Sequence, residues 1–160
     1  MNDNSKHIYL MRQAIELSRK TMQENTGGPF GAVIVKNGAV IACGVNRVIS
    51  ANDPTAHAEI VAIRAACQKV ETFHLDECEI YTSCEPCPMC LSAIYWARIE
   101  KIYYANTRND AAHIGFNDSV LYKELAKPIS HRTKPMEQLL RDEAFLVFQE
   151  WQNKDDKMRY

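Results

Sequence analysis

Two short motifs, about thirty residues apart, constrain the fold of this chain more than any other feature. The first is His57-Ala58-Glu59, and the second is a Pro-Cys-Pro-Met-Cys segment that contains Cys87 and Cys90. One histidine and two cysteines are the protein ligands expected for a zinc ion whose fourth tetrahedral position stays open for water. A carboxylate two residues from the histidine can accept a proton from that water. The fold must therefore bring both motifs to one point.

A closed, structural zinc site is the alternative interpretation, and it needs a fourth protein ligand. Cys84 is the obvious candidate, because it forms a second C-x-x-C pair with Cys87. However, Cys87 and Cys90 are three residues apart and would share one face of the helix predicted over 88–97, whereas Cys84 precedes that helix. A closed site would also leave Glu59 without a function. The pattern therefore favours a catalytic centre.

Both motifs fall at predicted helix N-termini. The Asp-Pro-Thr segment at 53–55 is typical of the cap and first turn of a helix, here over roughly 56–70. A helix N-terminus also lowers the pKa of a nearby thiol, which favours the thiolates that zinc requires. Although His57 and Glu59 would diverge inside a helix, in a first turn both can flank a point just beyond its end. We therefore expect two helix ends to meet at one ion.

The remaining patterns predict an α/β fold. Helical spacing of apolar residues covers about 6–24, and two apolar β-rich runs at 30–35 and 39–44 are joined by Asn37-Gly38, a strong hairpin signal. Strands alternating with helices after an opening hairpin indicate a mixed sheet covered by helices. The later predictions are strands at 79–83 and 101–105, helices at 88–97, 110–116, 119–126 and 143–154, and a loop at 127–135.

Length and charge limit the possible classes of protein. With 160 residues, 46% of them hydrophobic, the chain is predicted to form a single domain over 1–160, with 127–160 as a C-terminal loop, helix and tail. The 19 basic and 20 acidic residues give no positive excess, which argues against a nucleic-acid partner. No signal peptide or membrane-spanning run is evident, so we expect six reduced cysteines in a cytoplasmic protein.

Several stretches resemble one family of enzymes. They are 27–33, 52–59, 81–90, 93–98, 115–119 and 122–124, together with a terminal tyrosine, Tyr160. The H-x-E…P-C-x-x-C pattern is the known signature of zinc-dependent base deaminases. On these residues the chain resembles the cytidine/deoxycytidylate deaminase superfamily, and within it the small bacterial guanine deaminases. The zinc motif points to the superfamily, whereas the stretch around Asp118 and the tail point to guanine.

The resemblance implies a fold, an activity and a set of site residues. The implied fold is a three-layer α/β/α sandwich with a mixed five-stranded sheet, usually in a homodimer. The implied reaction is hydrolysis of guanine to xanthine and ammonia, with one zinc ion per subunit. Glu59 would shuttle protons, and Asp118 matches an acidic residue that helps proton transfer to the departing amine. The implied zinc ligands are His57, Cys87 and Cys90, and the implied base contacts are Phe30, Asn46, the backbone near Ala58, Trp96 and Tyr160.

One departure from the family pattern lies beside Asp118, because Asn117 stands where such sequences can carry a second acid. If Asn117 rather than Asp118 faced the substrate, the second proton shuttle would be lost. Without the resemblance, the other positions have ordinary structural interpretations. Phe30 can be a core residue, Asn46 a turn residue, Trp96 a packing residue, and Asp118 a helix cap.

Three other functions are compatible with the same motifs. The first is deamination of guanosine, a cytosine compound or another amino-heterocycle. The second is deamination of tRNA or single-stranded nucleic acid, which the near-neutral charge and the lack of an arginine-rich tail disfavour. The third is a non-catalytic, zinc-stabilised interaction module.

Overall fold

A computed structural model describes residues 3–158, and its first unit, which ends at Asp118, is built on a β-sheet. None of the described helices is long and apolar enough to cross a membrane. The elements of this unit are α1 (Asp3–Gln23), β1 (Gly31–Lys36), β2 (Ala39–Val45), α2 (Val48–Ala51), α3 (Ala58–Val70), β3 (Cys78–Cys84), α4 (Pro88–Trp96), β4 (Lys101–Asn106) and α5 (Arg108–His113).

The sheet starts from the predicted hairpin. Asn37 and Gly38 both have positive φ angles, of 49° and 76°, as a tight two-residue turn between antiparallel strands requires. The strand order is β2-β1-β3-β4, in which β1 pairs antiparallel with both β2 and β3. β3 and β4 are parallel, and α4 forms the crossover between them. The predicted α/β class and mixed sheet are therefore confirmed.

The described residues contain four strands, so the five-stranded sheet implied by the resemblance is wrong for this structure. The chain turns into a helix directly after β4, because the Thr107 side chain accepts a hydrogen bond from Asp110 N and the Asp110 carboxylate accepts one from Thr107 N. Further along, Pro128 and Pro135 lack the N–H groups that a strand ladder needs. The local sequence after β4 therefore favours helices and loops over another strand.

Alternating side chains cover both faces of the sheet. On one face, Ala32, Ile34 and Ile80 belong to the core packed with α3 and α4. On the other face, Val33 and Tyr81 pack with residues of α1. The two-residue period of the strands thus separates two cores, with helices over each face.

A polar cluster joins α1 to the sheet. Its members are far apart in sequence, so no local pattern predicts it. The Nδ1 atom of His7 lies 2.6 Å from the hydroxyl of Tyr81, which donates a hydrogen bond of 2.9 Å to Glu79. The Tyr81 ring stacks on Tyr103 with centroids 4.6 Å apart. Burial, followed by the hydrogen bond to Glu79, raises the pKa of Tyr81, so the phenol stays neutral and its buried oxygen stays bonded.

The first motif is positioned by a close approach of β2 to α3. A side chain at Gly44 would clash with the backbone oxygen of Ala58 and the backbone nitrogen of Ala62, so only glycine fits. One residue after Asn46, Arg47 N donates a hydrogen bond of 2.8 Å to Ala56 O. These backbone contacts hold the chain just before α3 against the end of β2.

The start of α3 differs from the prediction. The helix begins at Ala58 rather than near residue 56, and His57 is its N-cap with an extended backbone. Asp53 does not cap the helix, because its Oδ1 accepts hydrogen bonds from Thr55 N at 2.8 Å and from Thr55 Oγ1 at 2.7 Å. The Asp-Pro-Thr segment therefore closes a turn in the preceding loop, which leaves the His57 side chain available at the helix end.

The second unit begins at Ser119 and is helical. A carboxylate organises its middle: Glu124 accepts hydrogen bonds from Lys127 and from both the backbone nitrogen and the hydroxyl of Thr133, which lower the pKa of Glu124 to about 2. The loop predicted at 127–135 contains one short helical turn. The elements are α6 (Ser119–Ala126), a 3-10 helix (Ile129–His131) and α7 (Arg141–Asn153).

The close approach of β2 to α3 predicts a strong destabilisation by Gly44→Ala. The added methyl group must push α3 away from the sheet, and overpacking of this kind costs about 1–3 kcal/mol or more. Urea denaturation followed by circular dichroism measures the free energy of unfolding. Cys43→Ala, at the exposed neighbour on the same strand, is the matched control and should change it by less than about 0.5 kcal/mol. Equal stabilities of the two variants would contradict this account.

Candidate metal-dependent active site

Three ligand atoms meet at the edge of the first unit. The Nδ1 atom of His57 and the Sγ atoms of Cys87 and Cys90 all lie within 4.8 Å of one another, and Nδ1 is 3.5 Å from each sulfur. In a tetrahedral site with Zn–N near 2.1 Å and Zn–S near 2.3 Å, nitrogen and sulfur ligands are about 3.6 Å apart. The donor set and the spacing therefore fit a zinc ion.

Two helix N-caps supply this arrangement. His57 is the N-cap of α3 and Cys87 is the N-cap of α4, both with extended backbone and with no side-chain capping bond. Both side chains can therefore point to a shared ligand instead of to their own helices. Pro88 at the first helical position of α4 fixes the start of that helix, and Cys90 follows in its first turn, fully buried. This is the convergence of helix ends that the sequence predicts.

The pKa values of the two thiols shift in opposite directions. A hydrogen bond from the Cys90 thiol, assisted by His57, lowers the pKa of Cys87 to about 4 despite its burial. The same hydrogen bond, together with burial, raises the pKa of Cys90. The neighbouring Cys87 also raises the pKa of His57. Cys87 is therefore a thiolate at neutral pH, the form in which cysteine binds metal.

Glu59 lies beside this group without belonging to it. The residue is only 8% exposed, and desolvation raises the pKa of its carboxyl group. Cys87 and His57 also act electrostatically on the pKa of Glu59, so the carboxyl group is near the ligand residues. A buried carboxyl group with a raised pKa, next to a metal site, is suited to accept and return a proton.

Cys84, the alternative fourth ligand, is directed elsewhere. Its Sγ atom donates to the backbone oxygen of Thr107 at 3.6 Å, and burial raises its pKa to about 11. It is not part of the group formed by His57, Cys87 and Cys90. Within residues 3–158, no fourth cysteine, histidine or carboxylate joins that group, which leaves room for a water or a substrate atom.

Asn46 connects two loops next to the metal ligands. It is 6% exposed, and its Oδ1 accepts hydrogen bonds from Gly28 N at 3.3 Å and from Val48 N at 3.2 Å. The following residue, Arg47, is bonded to Ala56, immediately before the first motif. Since two backbone N–H groups use the carbonyl oxygen, the amide nitrogen of Asn46 remains as a donor.

Phe30 and Ala58 also lie on this part of the unit. Phe30 directly precedes β1, packs partly on the core with α3, and meets Phe116 edge to face with ring centroids 4.9 Å apart. Ala58 is buried as the first residue of α3. Phe116 lies in one of the resembling stretches at 115–119, but spacing alone did not single it out. Phe116 contacts Phe30, a residue distant in sequence, so only the structure brings it to this part of the unit.

Asp118 and Asn117 differ in their surroundings. Asp118 is half-buried, whereas Asn117 is exposed. Burial, followed by the charge of Cys87, raises the pKa of Asp118. An electrostatic effect of Cys87 on Asp118 requires that the carboxyl group be near the metal ligands. Of the two, Asp118 is therefore the less exposed, and it lies within the electrostatic influence of Cys87.

Two further base contacts were predicted, Trp96 and Tyr160. Trp96 is the last residue of α4, about 13 Å along the helix from its N-cap Cys87, and it is 74% exposed. At this exposure Trp96 does not pack in the core of the described residues, and its place at the base stays a prediction. Tyr160 lies outside the described residues.

Comparison with known proteins agrees with this geometry. The profile of the "Cytidine and deoxycytidylate deaminase zinc-binding region" matches residues 4–106, which include all three candidate ligands and Glu59. The chain belongs to this deaminase family. The match covers most of the first unit of the deaminase, so the sheet, the two helix N-caps and the metal group are features of one recognised domain.

Individual relatives extend the comparison to the second unit. The deaminase is 51% identical to the guanine deaminase of Bacillus subtilis (strain 168), over 96% of this chain and 99% of the relative. An X-ray structure of guanine deaminase from Bacillus subtilis superposes with a TM-score of 0.93 at 49% identity, covering 100% of this chain and 99% of that one. A tRNA-specific adenosine deaminase of Aquifex aeolicus is 36% identical over 79% of this chain and 81% of the relative.

The ligand geometry predicts that Cys87→Ala loses the metal and part of the stability, because a bound ion ties α3 to α4. Zinc content by mass spectrometry should fall from near one equivalent to near zero. A chelator should lower the melting temperature of the wild-type protein but not that of the variant. Cys67→Ala, at a half-buried cysteine of α3 outside the group, is the control and should keep its zinc. Full zinc occupancy of Cys87→Ala would remove Cys87 from the ligand set.

Proposed function

We propose that this protein is a zinc-dependent guanine deaminase, which hydrolyses guanine to xanthine and ammonia. The observation that carries the proposal is the group of His57, Cys87 and Cys90 with Glu59 beside it. It occurs in a chain that is 51% identical to a guanine deaminase over nearly the full length of both. That coverage supports one deaminase domain over 1–160, in which the C-terminal residues belong to the same enzyme.

His57, Cys87 and Cys90 hold one zinc ion per subunit in this proposal. Zinc in such a site lowers the pKa of water from about 15.7 to about 7 and so supplies a nucleophile at neutral pH. The thiolate character of Cys87 supports this assignment, as does the absence of a fourth ligand from the group within residues 3–158. An open coordination position is what distinguishes a catalytic zinc site from a structural one.

Glu59 moves the protons. It accepts a proton from water as oxygen attacks C2 of guanine, and it delivers that proton to a ring nitrogen. The second water proton then passes from the new hydroxyl group through Glu59 to the exocyclic nitrogen, the bond between C2 and that nitrogen breaks, and ammonia leaves while C2 keeps the oxygen as a carbonyl. Asp118, half-buried and within the electrostatic influence of Cys87, assists proton transfer to the departing amine.

The base is held by groups around the metal ligands. Asn46 donates its amide N–H to an acceptor atom of the base, because its oxygen is already bonded to Gly28 and Val48. Phe30 supplies an aromatic contact, and the backbone near Ala58 supplies a polar one. On the resemblance alone, we also assign Trp96 and Tyr160 to the mouth of the pocket.

The experiment that tests this function is ammonia release by the zinc-loaded protein from guanine, guanosine, cytosine, cytidine, deoxycytidylate and adenine, measured side by side. We expect strong preference for guanine. Glu59→Gln should retain zinc and lose at least about a hundredfold in kcat, since general acid–base catalysis contributes about 10²–10⁴-fold. Turnover of another base would keep the zinc chemistry and reject guanine as the substrate. A Glu59→Gln enzyme at wild-type rate would reject the proton shuttle, and zinc binding without any turnover would favour a non-catalytic module.

A tRNA adenosine deaminase is the second candidate, because such enzymes are also relatives at 36% identity. The lower identity and the near-zero net charge of −1 favour the free base. Salt-dependent binding of tRNA, with release of ammonia from it, would support this alternative.

We also propose that the enzyme is a cytoplasmic homodimer. All six cysteines are free thiols, and thiolate ligands need reducing surroundings. The helix α7 carries a large set of exposed apolar side chains, which a second copy would remove from water. They are Phe145, Leu146, Val147, Phe148 and Trp151.

Sedimentation velocity should give a mass near twice the chain mass of 18.3 kDa. Phe148→Glu should shift the protein toward the monomer, because it places a charge in the apolar surface that the partner covers. Ile49→Glu, at an exposed apolar residue of the short helix α2, is the control and should leave the mass unchanged. A monomer at all concentrations would contradict the proposal.

A further inference from the structure

Glu85 lies between the end of β3 and the metal ligand Cys87, and it has no role in the chemistry described above. Its backbone extends the pairing of β3 with β4, because Glu85 N donates a hydrogen bond of 2.8 Å to Asn106 O, at the end of β4. Pro86 follows, and a proline restricts the residue before it to extended backbone. The position of Cys87 therefore depends on how Glu85 is held.

The side chain of Glu85 makes a second connection, to the first turn of α5. Arg108 N, at the first residue of this helix, donates a hydrogen bond of 3.0 Å to Glu85 Oε2. The capping box of Thr107 and Asp110 uses two other amide groups at the same helix end. Glu85 is half-buried between these segments. One residue thus holds β4 through its backbone and α5 through its carboxylate.

The helix α5 leads directly to Asp118. It ends at His113, and a turn closed by backbone hydrogen bonds to the last residues of the helix brings the chain to position 118. Burial and the charge of Cys87 are the largest causes that raise the pKa of Asp118. The charge of Arg108 lowers the same pKa, and that of Glu85 raises it. Asp118 therefore lies within electrostatic range of both residues that join Cys87 to α5.

We propose that Glu85 is a positioning residue, which ties the segment that carries Cys87 to α5 and so fixes the distance between the metal ligands and Asp118. This inference rests on the proposed function, in which Asp118 assists proton transfer to the departing amine. Proton transfer needs donor and acceptor within hydrogen-bond reach, and a misplacement of about 1 Å can cost about a hundredfold in rate. Glu85 acts on the reaction through the placement of Asp118.

Steady-state kinetics of the zinc-loaded protein on guanine measures the effect of this connection. Glu85→Ala should lower kcat about ten- to a hundredfold, with KM changed by less than about threefold. Zinc content should stay at the wild-type value, because the backbone bond to Asn106 remains. Glu85→Gln keeps an oxygen that can accept the Arg108 N–H group and should restore kcat. Glu85→Asp keeps the charge but is one methylene shorter, so it should resemble the alanine variant.

A matched control lies at the opposite ends of the same two strands. Glu100 directly precedes β4, and its Oε1 accepts a hydrogen bond of 3.1 Å from Glu77 N, which directly precedes β3. Glu100→Ala therefore removes the same kind of bond between the same pair of strands, away from the metal ligands. Its kcat on guanine should equal that of the wild type.

Two further measurements separate positioning from a general loss of structure. Amide hydrogen exchange followed by NMR should be faster at Arg108 in Glu85→Ala than in the wild type, whereas Glu85→Gln should retain the protection. In an Asp118→Asn background, Glu85→Ala should lower kcat no further, because its effect passes through Asp118. A general defect would lower kcat in both backgrounds. If Glu85→Ala does not fold, the comparison of Glu85→Gln with Glu85→Asp decides the question.

The outcomes separate this inference from the proposed function. In an enzyme that deaminates guanine, an unchanged kcat in Glu85→Ala, or an equal fall in both backgrounds, overturns the positioning role alone. Unaltered amide exchange at Arg108 in Glu85→Ala also overturns it. If the wild-type protein prefers another base, the same variants are measured on that base, and guanine alone is rejected. Absence of turnover on every base overturns both proposals.

Discussion

The convergence of two helix N-caps on one point is the constraint on which the rest of the structure depends. His57 ends a loop held against β2, and Cys87 ends the short segment between β3 and the crossover helix α4. Residues of both helices pack in the core on the same face of the sheet. Gly44 allows α3 to approach the sheet at backbone distance. The parallel pairing of β3 with β4 returns the chain after α4 beside the strand it left. Because both N-caps have extended backbones, their side chains are directed past the helix ends and toward each other.

Burial and hydrogen bonding act in opposite directions on the pKa values of the groups at this point. Desolvation raises the pKa of Glu59, whereas the hydrogen bond from Cys90 keeps Cys87 ionised. The same hydrogen bond raises the pKa of Cys90, so two thiols that start alike have pKa values pushed apart by their surroundings. An unpaired charge is costly in such buried surroundings, so the Glu59 carboxylate binds a proton more readily than an exposed one would. The candidate chemistry is a consequence of where the fold excludes water.

Much of the fold could be predicted from local sequence. Asn37-Gly38 required positive φ angles and therefore a hairpin, and the helices α3, α4 and α7 lie within about two residues of their predicted bounds. The errors came from competition between local signals. Asp53 closes a loop turn instead of capping α3. The resemblance implied a fifth strand, but the capping box of Thr107 and Asp110 begins a helix directly after β4. The short helix α2 carries too few residues for a periodic pattern.

The sequence by itself determined the candidate donors, because His57, Cys87 and Cys90 have the spacing of a zinc site and Glu59 supplies an adjacent base, with Cys84 as an alternative ligand. It also determined the alternation that divides the sheet into two faces. Only the tertiary structure decided which neighbours complete the site. It separated Asp118 from Asn117 by burial, directed Cys84 to Thr107, and left Trp96 exposed at the far end of α4. It also paired Phe116 with Phe30 across more than eighty residues of sequence. Such contacts join residues distant along the chain, so their geometry follows from packing and not from any local pattern.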